Sequence, residues 1–262
     1  MAQRLLVETW RQGRHLGVPP PALSDSGFAC YSANNEDGIL LQIFDRIGTT
    51  NRVLIDIGSG VPVGANSTNL LVHWAWNGVL IDADGDGLDT ARAWYAAHQL
   101  VPWLPAFIEV VVQPEAVDQL LSDHGLTGTP DLLLIDIDSV DLWVWHDLTI
   151  FKPRVVVVEY SHFWGPHRSV SVPRDWTSAA DGVADPLYCS ASLEAFVRVG
   201  RRKGYRLVAV NDRRFNAFFV REDEAGDLPE LTPEAAFAPP APPDGAVSWS
   251  KEGLPGQWVE ID

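Results

Sequence analysis

Three acids stand where two apolar runs end. Asp136 and Asp138 close Leu132-Leu-Leu-Ile-Asp-Ile-Asp, and Glu159 closes Val155-Val-Val-Val-Glu. If the two runs are adjacent strands, alternate spacing puts Asp136 and Asp138 on one face and brings Glu159 beside them. Converging carboxylates repel unless they are paired, protonated or bound to a cation. A hard divalent ion such as Mg²⁺, held by Asp136 and Glu159, suits that set. It would lower the pKa of a bound hydroxyl, with Asp138 as a catalytic carboxylate beside it. The other reading makes Asp141 a helix cap and gives Asp138 to backbone amides, leaving no metal. His162, just beyond Glu159, titrates near neutrality in its ordinary state and is the general-base candidate; a lone loop histidine also serves as a structural hydrogen-bonder.

The second chemical feature lies earlier. Val53-Leu-Ile-Asp-Ile-Gly-Ser-Gly is an apolar run that ends in an acid and enters glycines, and Gly78-Val-Leu-Ile-Asp follows an apolar helical segment. The pattern predicts a buried strand, a tight turn and a second strand closed by Asp82. Gly58 and Gly60 let the backbone approach a ligand, and Asp82 is placed to accept hydrogen bonds from ribose hydroxyls. Together they predict a nucleoside site; a glycine loop that only connects a strand to a helix is the plainer alternative.

Around these residues the chain alternates. Strands are expected at Val53–Ile57, Val79–Asp82, Phe107–Val112, Leu132–Ile137 and Arg154–Tyr160, with helices at Ser67–Trp76, Leu88–His98, Glu115–His124 and Asp141–Leu148. Near-continuous apolar strands separated by helices predict an α/β fold, a Rossmann-like doubly wound sheet with helices on both faces. Tyr205–Val210 and Phe215–Arg221, joined by four polar residues, read as a hairpin that adds a final antiparallel strand. Ahead of the alternation, Ala2–Arg14 reads as a helical extension within residues 1–27, and Ile39, Leu40, Ile43, Phe44 and Ile47 mark a helix whose first residues, Asn34-Asn-Glu-Asp, cap it or fold over the pocket. The insertion 161–189 has little periodicity but carries Trp164, Arg168, Arg174 and Trp176, and is expected to act as a lid, its arginines placed to grip an anionic group. Residues 223–262, acidic and rich in Pro and Ala, read as a loosely ordered tail that Trp249 and Trp258 pin back.

Composition narrows the partners. A net charge of −16 over 262 residues leaves no basic surplus to neutralise phosphates, which argues against nucleic acid. No apolar stretch approaches the roughly 20 residues of a membrane span. Cys30 and Cys189 form neither a disulfide framework nor a zinc spacing, and Met1–Gly17 lacks a signal-peptide pattern, so a cytoplasmic protein is expected. Homo-oligomerisation is left open.

The set is collinear with a known pattern. Ser32-Ala-Asn-Asn-Glu-Asp-Gly-Ile-Leu, Leu134-Ile-Asp-Ile-Asp, Val157-Val-Glu-Tyr, Ala191-Ser-Leu, Lys203-Gly-Tyr-Arg-Leu-Val and Asn216-Ala-Phe-Phe-Val resemble the FkbM-type branch of class I S-adenosylmethionine (SAM)-dependent methyltransferases. The resemblance covers roughly residues 28–222. It implies that Asp56, Gly58 and Gly60 surround the methionine part of SAM, that Asp82 binds the ribose, and that Gln113 contacts the adenine. Pro62 departs from the glycine motif, where the family often has a small residue. The implied activity is O-methylation of a small hydroxylated molecule, such as a sugar or a natural-product intermediate. Two other classes compete: a nicotinamide-dependent oxidoreductase, for which the third fingerprint glycine is missing at its spacing, and a non-catalytic nucleoside-binding module.

Overall fold

The computed structural model describes residues 1–98, 102–176, 188–238 and 256–262. Its centre is a seven-stranded sheet in which β1 (Val53–Ile57), β2 (Asn77–Asp82), β3 (Ala106–Glu109), β4 (Leu132–Ile135) and β5 (Val155–Glu159) run parallel. A two-residue strand, β6 (Val170–Ser171), follows outside this sheet, and β7 (Tyr205–Val210) and β8 (Asn216–Arg221) form the hairpin. The order is β3-β2-β1-β4-β5-β8-β7, with β8 antiparallel to both neighbours. This is the expected Rossmann-like α/β fold. It differs from the dinucleotide-binding order 3-2-1-4-5-6 by the antiparallel strand set between β5 and the last position.

Alternation along the strands feeds two cores. Ile55, Ile57, Leu133, Ile135, Val156 and Val158 point to one face, which α5 (Val117–Asp123), α6 (Asp141–Asp147) and α7 (Leu193–Lys203) cover. Leu54, Leu132, Leu134, Val155 and Val157 point to the other, beneath α2 (Glu36–Ile47), α3 (Thr68–His73) and α4 (Gly85–Ala97). Helix α1 (Ala2–His15) docks on α2: Val7 and Trp10 pack with Leu41, and Arg11 and Arg14 each reach Asp45 at 2.7 Å.

Two expectations shift. β3 and β4 stop earlier than the sequence suggests, so Asp136 and Asp138 lie in a loop and not on a strand. Residues 223–238 are packed: Ala225 and Leu228 are buried, α8 (Pro233–Phe237) is capped by the Thr232 hydroxyl, and Ala236 joins the core. Ile261 is buried too, beside β9 (Val259–Glu260), which pairs antiparallel with β6. Trp258 packs on Trp164 and Tyr188, whereas Trp249 and the proline run 239–243 fall outside the described residues. Among the described residues no helix is long and apolar enough to cross a membrane.

Candidate active site

The turn after β1 is held by its neighbours. Gly58 donates from its amide to Ile81 O at 2.8 Å, and its φ is +85°. A Cβ there would sit 1.7 Å from the Asp136 carbonyl oxygen. The β4 loop passing behind the turn therefore requires a glycine here. Gly60 is also left-handed, at φ +53°, but faces open space; its amide donates to Asp82 Oδ2 at 2.8 Å. Asp82 Oδ1 accepts from the Asp84 amide at 2.9 Å. A carboxylate has about four lone-pair sites, so Asp82 keeps acceptor capacity facing outward. Asp56 is buried, and that burial, with the Asp82 charge adding to it, pushes its carboxyl up to about 6.

The loop Asp136–Val140 gathers the acids. Asp138 adopts φ +53°, a left-handed conformation that Asp tolerates better than most residues, and this turn brings the three carboxylates together. Oxygens of Asp136, Asp138 and Glu159 all lie within 4.8 Å of one another. Asp141 braces the loop from below: one oxygen accepts from the Ile137 amide at 2.8 Å, the other from the Ser139 amide at 3.0 Å. It is fully buried, and the loss of solvent pushes its carboxyl up to about 6. Burial and mutual repulsion push Asp136 and Glu159 well above the carboxylate range, and one buried oxygen of Glu159 has no hydrogen-bond partner. Ser190, itself at φ +56°, ties the cluster together, donating from its amide to Ser139 O and from its hydroxyl to Glu159 O, each at 2.9 Å.

One cleft of about 650 Å³ runs between these two features at the carboxyl ends of the strands. Asp56, Gly58, Gly60, Asp82 and Gln113 line one end, and Asp136 and Asp138 the other, with Glu159 against them. The loop Val61–Asn66 forms a wall, its path set by Thr68 Oγ1, which donates to Pro62 O at 2.7 Å. No side chain of the Asn34–Asp37 segment caps α2 by a hydrogen bond; the segment's acids bind the preceding backbone instead. Asp37 Oδ2 accepts from the amides of Cys30, Tyr31 and Ser32, and Tyr31 O in turn accepts from the Gly64 amide. The segment thereby supports the wall of the cleft.

Other expected residues lie elsewhere. His162 sits in a 3₁₀ turn, His162–Trp164, with its ring against Phe163 and Phe215, and is not among the residues lining the cleft. Burial, then the Arg214 charge, push its imidazole down to about 4. Arg168 pairs with Glu260 and Arg174 with Asp147, so both arginines of the insertion serve the protein. Asn69 exchanges hydrogen bonds with Gln3 and holds α1. Trp176 and Asn216 line the acid end of the cleft and were not singled out by the sequence as site residues. The part of the expected lid at 177–187 is outside the described residues.

No protein-family model matches the chain, and no curated protein matches it in sequence. Among solved structures it is similar to magnesium protoporphyrin IX methyltransferase from Synechocystis PCC 6803 with bound SAM, at 10% identity and a TM-score of 0.44, over 71% of this chain and 77% of that one. It is also similar to an O-methyltransferase from Bacillus cereus in complex with SAH (14% identity, TM-score 0.41, 81% and 97% of the two chains). A third is an O-methyltransferase family protein from Burkholderia thailandensis (14% identity, TM-score 0.40), where the match spans 71% of this chain and 57% of the other.

Proposed function

We propose that the chain is a SAM-dependent methyltransferase acting on an oxygen of a small hydroxylated molecule, such as a sugar or a natural-product intermediate. The observation that carries this reading is the single cleft joining the Gly58–Gly60 turn and Asp82 to the Asp136–Asp138–Glu159 cluster. Its volume is in the range of small-molecule sites.

SAM, when bound, supplies an electrophilic methyl group on a sulfonium. Asp82 takes the ribose hydroxyls with its outward lone pairs, while its bond to the Gly60 amide keeps the turn in place. Gln113, which lines the same end of the cleft, is assigned the adenine contact. Asp56 becomes anionic above about pH 6 and favours the cationic methionine portion.

At the other end the chain must orient the acceptor and remove its proton. Asp136 and Glu159 are the residues that would hold a hard divalent cation such as Mg²⁺; clustered carboxylates with an unpartnered buried oxygen fit such an ion. Such an ion would lower the pKa of an acceptor hydroxyl. Asp138, the exposed member, is placed to take the proton. We leave His162 out of this scheme, since its ring packs edge-on against Phe215 and is not part of the cleft lining. The catalytic unit is assigned to residues 28–222. A nicotinamide-dependent oxidoreductase is disfavoured by the antiparallel β8 and by the Gly58-Ser-Gly-Val-Pro-Val-Gly spacing.

The test is methyl transfer. The purified protein is incubated with isotope-labelled SAM and a panel of polyhydroxylated acceptors, with Mg²⁺ or with a chelator. Labelled product in the Mg²⁺ series supports the reading. Hydride exchange with a nicotinamide cofactor, and no methyl transfer, would overturn it.

A further inference from the structure

At the acid end of the cleft one polar side chain stands without a partner. Asn216 opens β8 directly opposite Glu159 at the end of the antiparallel β5, so the two side chains leave the same face of the sheet. It is 6% exposed and lines the cleft with Asp136 and Asp138. Its backbone is fully used: the amide donates to Asn211 Oδ1 and the carbonyl accepts from the Asn211 amide, both at 3.0 Å. Its carboxamide makes no hydrogen bond to any described residue. The residue is buried while its carboxamide opens into the cleft opposite Glu159, where a bound group can meet it.

The surrounding network is built to keep Asn216 there. Asn211 Oδ1 also accepts from the Phe215 amide at 2.8 Å, which fixes the approach to β8. Asn211 Nδ2 donates to Glu36 Oε1 at 2.6 Å, and Glu36 is fully buried. The other side of Glu36 accepts from the Asn34 amide, and Asn35 Oδ1 accepts from the Asp212 amide. A buried carboxyl group thus anchors one asparagine that anchors another.

We infer that Asn216 is a further protein donor to the cation site, its carboxamide oxygen joining the carboxylates of Asp136 and Glu159, with Glu36 and Asn211 as positioning residues. This rests on the cation reading proposed above. Carboxylate, amide carbonyl and water oxygens are the donors that Mg²⁺ and Mn²⁺ take. A neutral oxygen adds coordination without adding to the repulsion among the acids.

Mn²⁺ is the probe, titrated into the full chain and followed by electron paramagnetic resonance. Asn216→Ala is expected to weaken binding about tenfold or more, and Glu36→Gln to weaken it by about tenfold through the lost brace. Asn216→Asp keeps the shape and an oxygen donor, and is expected to bind at least as tightly as the wild type. Circular dichroism melts of the metal-free variants report folding. Equal Mn²⁺ affinity in wild type and Asn216→Ala, or weaker binding in a folded Asn216→Asp, would overturn the assignment while leaving the cation site intact. A wild type that binds no Mn²⁺ would remove the cation site and the assignment with it.

Discussion

Asp131 and Glu159 stand at opposite edges of the same two strands, and the chain treats them in opposite ways. Asp131 precedes β4, and Arg154, which precedes β5, reaches it at 3.0 Å. The Thr50 hydroxyl and the amides of Thr50, Asn51 and Arg52 donate to the same carboxylate. Burial alone would raise its pKa, but these hydrogen bonds outweigh burial and hold the carboxyl below its usual range. Arg154 also binds Glu224 and the carbonyls of Ile47 and Gly48, which pins the segment after β8 to the base of the sheet. At the other edge, Asp136 and Glu159 have no basic partner among the described residues, and both are pushed up. At the lower edge the protein neutralises its buried acid; at the upper edge the described residues leave the acids without such neutralisation.

The contrast can be broken most forcefully at Arg154. Arg154→Met leaves Asp131 buried and unpaired, and denaturant unfolding is expected to show a loss of about 3–5 kcal/mol. A loss no larger than that of a surface arginine would mean the lower edge is not the anchor described. At the cofactor end of the cleft, Asp82→Ala is expected to weaken S-adenosylhomocysteine (SAH) binding by about 1–3 kcal/mol, read by calorimetry. At the acid end the expected sign reverses. Asp136→Asn removes a repelled carboxyl, so the metal-free protein should become more stable by about 1 kcal/mol, while losing Mn²⁺ binding. Destabilisation in chelator would place Asp136 with the structural acids.

Acidity offers a milder probe. Asp56 and Asp141 have folded pKa values of about 6, above those of the unfolded chain. Their contribution is fully present below about pH 4 and is lost as pH rises through about 6. Asp131, held low, contributes above its unfolded pKa and loses that contribution only as pH falls further. The metal-free protein should therefore melt higher near pH 5 than near pH 7.5, and Mg²⁺ should raise the melting temperature more at pH 7.5. A metal-free melting temperature that rises between those pH values would contradict the assignment of raised carboxyls at the upper edge.

What the sequence discloses follows how local each signal is. The parallel strands are legible because runs such as Val155–Val158 are apolar on both faces, and the hairpin because only a short polar link separates its strands. The three acids are legible as a group, but not the reason they meet: a left-handed Asp138 in a loop does what strand alternation was expected to do. Gly58 is legible as a turn glycine, but the Asp136 carbonyl that crowds it is far away in sequence. Asp131 looks like an ordinary loop acid for the same reason. Residues 225–237 bury single apolar side chains without a period, so their packing leaves no pattern to read. Asn216 is visible as part of a strand, whereas its open carboxamide depends on a register that only the folded sheet supplies.

The most direct test of the central claim, that the upper cleft is a SAM site, is calorimetric titration of the full chain with SAH at neutral pH. Micromolar binding that weakens in Asp82→Ala and survives in Asp136→Asn is the predicted result. A folded protein that shows no heat with SAH, or binds it equally well without the Asp82 carboxylate, would contradict the account.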